Sequence, residues 1–326
     1  MITLAIACVL GRFGDQEDTV IPLFDDGPFV YPCGWPYDKF ARALFGLAIA
    51  PAAHVPSARD IILNGIGGPV KCPTGLMHTV YVQGEAPPLG YLANPRKGQY
   101  YIGPLAHPAS GALQVYYAAE AYYHIPPWQR LGNGMLRQHN TGKYGLIYAN
   151  RRCHKAREEA FDALSTVVQA VAGGSCHGSH PELHRPLRTG DHRQNYLLFR
   201  DYRYVLCMEN TNSKGYITEK IINAFAAGAV PIYYGTPEVF DLFNRNAFIY
   251  YDPNNNRTAM DTVAYLEGNR TAYDEMVRRP VFAPGAQSKH FGKGLARRVN
   301  GLLAKVYVID QFLTRVDDFL NAYWPL

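Results

Sequence analysis

The segment Tyr202 to Pro237, YRYVLCMENTNSKGYITEKIINAFAAGAVPIYYGTP, holds the residues best spaced to do chemistry. Its order is an apolar strand, a polar loop from Glu209 to Gly215, a helix, a glycine stop and a second apolar strand. In doubly wound sheets, ligands bind where strand C-termini meet helix N-termini, which is where this loop falls. Thr218 is suited to cap the helix. Glu219 complements the positive end of the helix dipole, but Lys220 beside it does not. A lysine next to unpaired backbone N–H groups makes sense when it faces an anion such as a diphosphate; otherwise it extends into solvent.

Two further residues have chemical uses. Arg157, near the start of a second helix, offers a permanently charged fork that suits phosphate oxygens. By spacing alone it could equally pair with the acids around it. Glu85, in Val80-Tyr81-Val82-Gln83-Gly84-Glu85-Ala86-Pro87, follows a strand-like run. A carboxylate there could take a proton from an attacking hydroxyl, or be an exposed turn acid. Glu120 is its weaker rival, since VYYAAEAYY reads as a packed helix.

The elements around these residues alternate. Strand-like runs fall at residues 2–10, 60–63 and 79–82, with a helical stretch at 37–50. A Gly/Pro/Asn-rich passage at 125–142 has linker chemistry. Strands at 145–149, 204–208, 229–234 and 247–250 then alternate with helices at about 154–165, 218–227 and 258–266. In the first of these helices Ala160, Phe161 and Leu164 mark the apolar face. The chain ends in a helical segment whose apolar face runs from Leu295 to Tyr323. Strands alternating with helices predict parallel α/β sheets. The expected architecture is two Rossmann-like domains facing a cleft, 1–140 and 141–293. Residues 294–326 are expected to pack across both, with peripheral membrane contact as the alternative.

Composition narrows the function. The chain has 326 residues, 48% hydrophobic and 18% charged, with 24 tyrosines and a net charge of +5. That is globular, and the excess of positive charge favours an anionic small molecule. Lys and Arg are scattered, which argues against nucleic acid. No stretch reaches the roughly 18 apolar residues that span a bilayer, and residues 1–10 lack the marks of a signal peptide. The six cysteines are widely spaced, so no disulfide framework and a reducing, cytoplasmic setting are expected. In that setting the sequons at Asn256 and Asn269 carry no weight. Cys176, His177, His180, His184 and His192 lack the paired spacing of a zinc site. Asp25-Asp26 and Asp317-Asp318 read as solvated acids, and Gly65-Ile66-Gly67-Gly68 as a turn.

The run MENTNSKGYITEKIINAFAAGAVPIYYG resembles the signature of the α-1,3-fucosyltransferase family: FEN, then GYxTEK, then a VPIYxG strand. Weaker similarity extends over residues 78–280, including ANRRCHKAREEAFDAL upstream and AFIYYD downstream. The resemblance implies a GT-B architecture, GDP-β-L-fucose as donor and a glycan hydroxyl as acceptor. It also implies inversion to an α-linked product, without an obligatory metal or cofactor. Arg157, Asn210, Tyr216 and Lys220 would hold the diphosphate, Thr218 would stand at the helix start, and Glu219 would bind the ribose. Glu85 would be the base, although Ala86 departs from the family's GEN or FES context. A transferase using another nucleotide sugar and a non-catalytic glycan-binding protein are the alternatives.

Overall fold

The computed structural model describes residues 30–33, 55, 61–65, 78–82, 99–103, 112–123, 125, 140–185, 194–291, 294, 295 and 298. Contacts divide the chain into two units, Met1–Val115 with Ser288–Leu326, and Tyr116–Gln287. The division falls earlier than the glycine-rich passage because the helix after Val115 packs against the second unit's Glu219–Ala226 helix.

The described part of the first unit is a sheet of β1 (Val30–Cys33), β2 (Ile61–Gly65), β3 (His78–Val82), β4 (Gln99–Gly103) and β5 (Ala112–Gln114). They lie side by side in chain order, each pair parallel. Parallel neighbours require crossover connections, in keeping with the expected α/β class. Residues 2–10, 37–50 and almost all of 294–326 lie outside the described residues.

The second unit opens with α1 (Tyr117–Tyr123) and β6 (Tyr144–Asn150), followed by α2 (Lys155–Ser165), β7 (Ala170–Gly174) and β8 (His184–Arg185). Next come α3 (Tyr196–Phe199), β9 (Tyr202–Met208), α4 (Glu219–Ala226), β10 (Val230–Tyr234) and α5 (Val239–Leu242). β11 (Ile249–Tyr250), α6 (Arg257–Gly268) and α7 (Arg270–Arg278) complete it. The sheet order is β11-β10-β9-β6-β7-β8, all parallel. Counted from β6 as the first strand, this is the 3-2-1-4-5-6 order of a Rossmann fold, whose ligand crevice lies where the winding reverses. Here the reversal falls between β6 and β9.

The core explains why these runs form these elements. Leu146 and Tyr148 of β6 meet Ala160, Phe161 and Leu164 of α2, with Tyr204, Leu206 and Met208 of β9 beside them, all buried. Ala160, Phe161 and Leu164 recur at helical spacing, so one face of α2 packs and the other stays wet. α4 buries Ile221, Ile222, Ala224 and Phe225. Among the described residues, no helix is long and apolar enough to cross a membrane.

Candidate active site

The loops that leave β6 and β9 carry the site. After β6 the chain runs through Asn150 to His154 and enters α2, whose buried positions include Arg157 as well as its apolar face. Arg157 is 2% exposed. Its Nη2 donates to Asn210 Oδ1 on the β9 loop. Its Nη1 donates to Asn150 Oδ1 at 3.3 Å and to the Arg152 carbonyl at 3.4 Å, and Nε has no partner. The Arg157–Asn210 bond therefore spans the β6/β9 reversal point.

The pairing with neighbouring acids that spacing allowed for Arg157 does not occur. Glu158 accepts instead from the Tyr148 hydroxyl and from the backbone N–H groups of His177 and Gly178. Glu159 pairs with Lys155 at 2.7 Å. Arg157 is thus a buried cation that meets only neutral oxygens among the described residues. Burial pulls its pKa down, against the upward pull of Tyr148, Glu209, Tyr216 and Glu219. His154, at the mouth of α2, is also pushed down, first by burial and then by Arg157, Arg152 and Lys220.

Thr218 occupies the N-cap position of α4 with an extended backbone, as expected, but its side chain makes no capping bond to the helix. Its N–H and hydroxyl donate to the carboxylate of Glu209, at 2.8 Å to Oε1 and 2.9 Å to Oε2 respectively. Lys220 Nζ donates to Glu209 Oε2 at 2.8 Å and to Thr218 Oγ1 at 2.9 Å. Glu219 stands 3.9 Å from Lys220 Nζ. Burial works to lower the pKa of Lys220, but Glu209, Glu219 and Tyr216 outweigh it, and the net shift is upward. Tyr216 is buried just before the cap.

Two acids escaped the sequence reading. Glu209 was legible only as a letter of the motif. Glu238, just before α5, accepts from the Gly215 N–H and so pins the loop from the neighbouring loop that follows β10. Gly215 sits at φ +75°, a conformation that favours glycine, which explains the glycine before Tyr216. Arg157, Asn210, Tyr216, Thr218, Glu219 and Lys220 all lie on the two loops and helix starts just described. Glu85 lies outside the described residues, and the side chain of Glu120 does too.

One expectation is overturned. Cys153 and Cys176 form a disulfide, with Cα atoms 5.2 Å apart, so the wide spacing in sequence did not exclude a bridge. The β6–β7 pairing brings the two loops together, and a Cβ on Gly174 would sit 2.4 Å from the Asn150 carbonyl oxygen. The ground for expecting a reducing setting is thereby removed. Cys153, Cys176 and Glu158 place their ligand atoms within 4.8 Å of one another, but the sulfurs are bonded to each other and Glu158 is engaged as above. His184 bonds the Gly174 carbonyl, His180 bonds Glu182, and His192 lies outside the described residues. Replacing both cysteines by serine is expected to destabilise the second unit by roughly 3 kcal/mol, from the entropy of the loop the bridge closes. Denaturant unfolding of the variant beside the oxidised protein measures this.

Residues 138–278 match the model described as Glycosyltransferase family 10 (fucosyltransferase) C-term. By that match the segment is similar to a family 10 C-terminal domain. The matched segment contains both site loops and the β6/β9 reversal point. An alpha-(1,3)-fucosyltransferase of Helicobacter pylori is 34% identical over 122 residues, covering 37% of this chain and 24% of the relative. The human GDP-fucose protein O-fucosyltransferase 3 is 25% identical over 138 residues, covering 40% of this chain and 29% of the relative. The chain thus aligns with about a quarter of the length of these curated relatives. The fold is that of the GT-B α1,3-fucosyltransferases. The crystal structure of alpha1,3-fucosyltransferase with GDP superposes with a TM-score of 0.61 at 17% identity, covering 95% of this chain and 97% of that one. The structure with GDP-fucose gives 0.56, also at 17% identity, covering 94% and 96%.

Proposed function

We propose that this protein is an inverting fucosyltransferase that moves L-fucose from GDP-β-L-fucose to a glycan hydroxyl, forming an α-fucoside of α-1,3 type, with no obligatory metal or cofactor. The observation that carries the reading is Arg157: a buried guanidinium with no carboxylate partner among the described residues and an unused Nε–H. A buried charge is costly unless it is paired, and a fork of this kind matches phosphate oxygens in geometry and charge. A diphosphate supplies the missing counter-charge.

In this reading Arg157 and Lys220 receive the diphosphate beside the N-terminus of α4, whose first N–H groups favour an anion. Asn210 and Tyr216 complete that side, and Glu219 takes the ribose hydroxyls. As the bond to fucose breaks, negative charge grows on the departing GDP, and the fixed cations stabilise it without reorganising. Glu85 removes the proton of the acceptor hydroxyl as it attacks the anomeric carbon from the opposite side. The names of the relatives support fucose as the sugar, because the site residues themselves grip mainly the nucleotide.

The test is transfer to a glycan array with GDP-fucose, GDP-mannose and UDP-glucose in turn, followed by linkage analysis. Product from GDP-fucose alone is expected. Turnover with GDP-mannose in preference to GDP-fucose would replace the sugar, and turnover with UDP-glucose alone would sink the guanosine reading.

A further inference from the structure

Glu209 poses a problem for an anion site. It directly follows β9, its side chain is fully buried, and its carboxylate sits on the Thr218 N–H at the start of α4. A fixed carboxylate there repels a diphosphate unless it serves another group. That group is Lys220. An ammonium has three N–H donors; Glu209 and Thr218 take two of them, while the side chain remains 19% exposed. The backbone N–H of Glu209 is itself fixed to the Tyr234 carbonyl at 2.8 Å, so the carboxylate rests on the sheet and not on a free loop.

We propose that Glu209 is a positioning residue of the donor site, which with Thr218 holds two ammonium N–H groups of Lys220 so that the third is presented to a phosphate oxygen. The inference rests on the functional reading above and adds a second duty for the same contact. Lys220 is largely buried, and burial alone favours a neutral amine. Glu209 is the largest opposing influence, ahead of Glu219 and Tyr216. The other charged or titratable groups facing this pair are Arg157 and His154 from the α2 side, and Cys207 and Tyr233 from the sheet. Without the Glu209 charge, Lys220 loses its proton at lower pH, so the affinity for a diphosphate falls as pH rises.

The experiment is calorimetric titration with GDP at about pH 7 and about pH 9, for the wild type and Glu209→Gln. The ionisation of GDP itself is common to both proteins and cancels in the comparison. Glu209→Gln is expected to lose about tenfold more affinity between the two pH values than the wild type, the loss that follows when the lysine titrates about one unit below the upper pH and is about nine-tenths neutral there. The same pH ratio in both proteins overturns the inference and leaves the donor reading intact. A wild type without affinity for GDP overturns the donor reading itself, and this inference with it. A second comparison covers a Glu209→Gln protein that does not fold. Lys220→Met and the double variant Glu209→Gln/Lys220→Met should bind GDP within about twofold of each other, because Glu209 acts through the lysine. A further tenfold loss in the double variant overturns the proposal.

Discussion

Arg157→Ala is expected to lower fucose transfer by on the order of 10²-fold or more, with a parallel loss of GDP affinity. The unfolding midpoint should change little, because no carboxylate is left behind: Arg157 meets only the oxygens of Asn150, Asn210 and Arg152. Lysine is not expected to rescue the site. The fork touches both loops at once, and a single ammonium cannot hold Asn150 and Asn210 while also meeting a phosphate. Single-turnover transfer and GDP calorimetry on the two variants give the answer. Undiminished affinity in Arg157→Ala would remove this residue from the donor site and take the central support of the functional reading with it.

Glu85→Gln should separate binding from chemistry. Transfer is expected to fall by about 10²- to 10⁴-fold, the usual contribution of a positioned base, while GDP affinity stays unchanged. The residue lies three positions beyond β3 (His78–Val82). The loops after the C-terminal ends of parallel strands are where such sheets place their ligands. Wild-type transfer rates in Glu85→Gln would assign the proton to another group, whereas a loss of GDP affinity would make Glu85 a binding residue and not the base.

Local patterns carried much of this architecture into view from the sequence. Ala160, Phe161 and Leu164 announced the buried face of α2, and the strand–loop–helix order around Thr218-Glu219-Lys220 announced the start of α4. What could not be read was tertiary. β7 has the sequence AVAGG, with a single β-branched residue, so its strand character comes from its neighbours and not from propensity. Glu209 and Lys220 are eleven residues apart, beyond any local rule, and Glu238 reaches Gly215 from another strand's loop. The disulfide was missed for the same reason: Cys153 and Cys176 become neighbours only because β6 and β7 pair. Spacing also left Arg157 undecided, and only the engagement of Glu158 and Glu159 elsewhere shows it to be unneutralised.

The adjacency of β6 and β9 has one more consequence. The two segments that carry Arg157 and Asn210 are distant in the chain yet rooted on touching strands, so their separation is fixed by a ladder of backbone hydrogen bonds. The excursion between them, through β7, β8 and α3, runs outward to one flank and returns. Beyond the tether at Cys176 and Gly178, additions to that excursion would leave the gap between Arg157 and Asn210 as it is. This lets a lineage lengthen or redecorate that flank without retuning the pairing of Arg157 with Asn210.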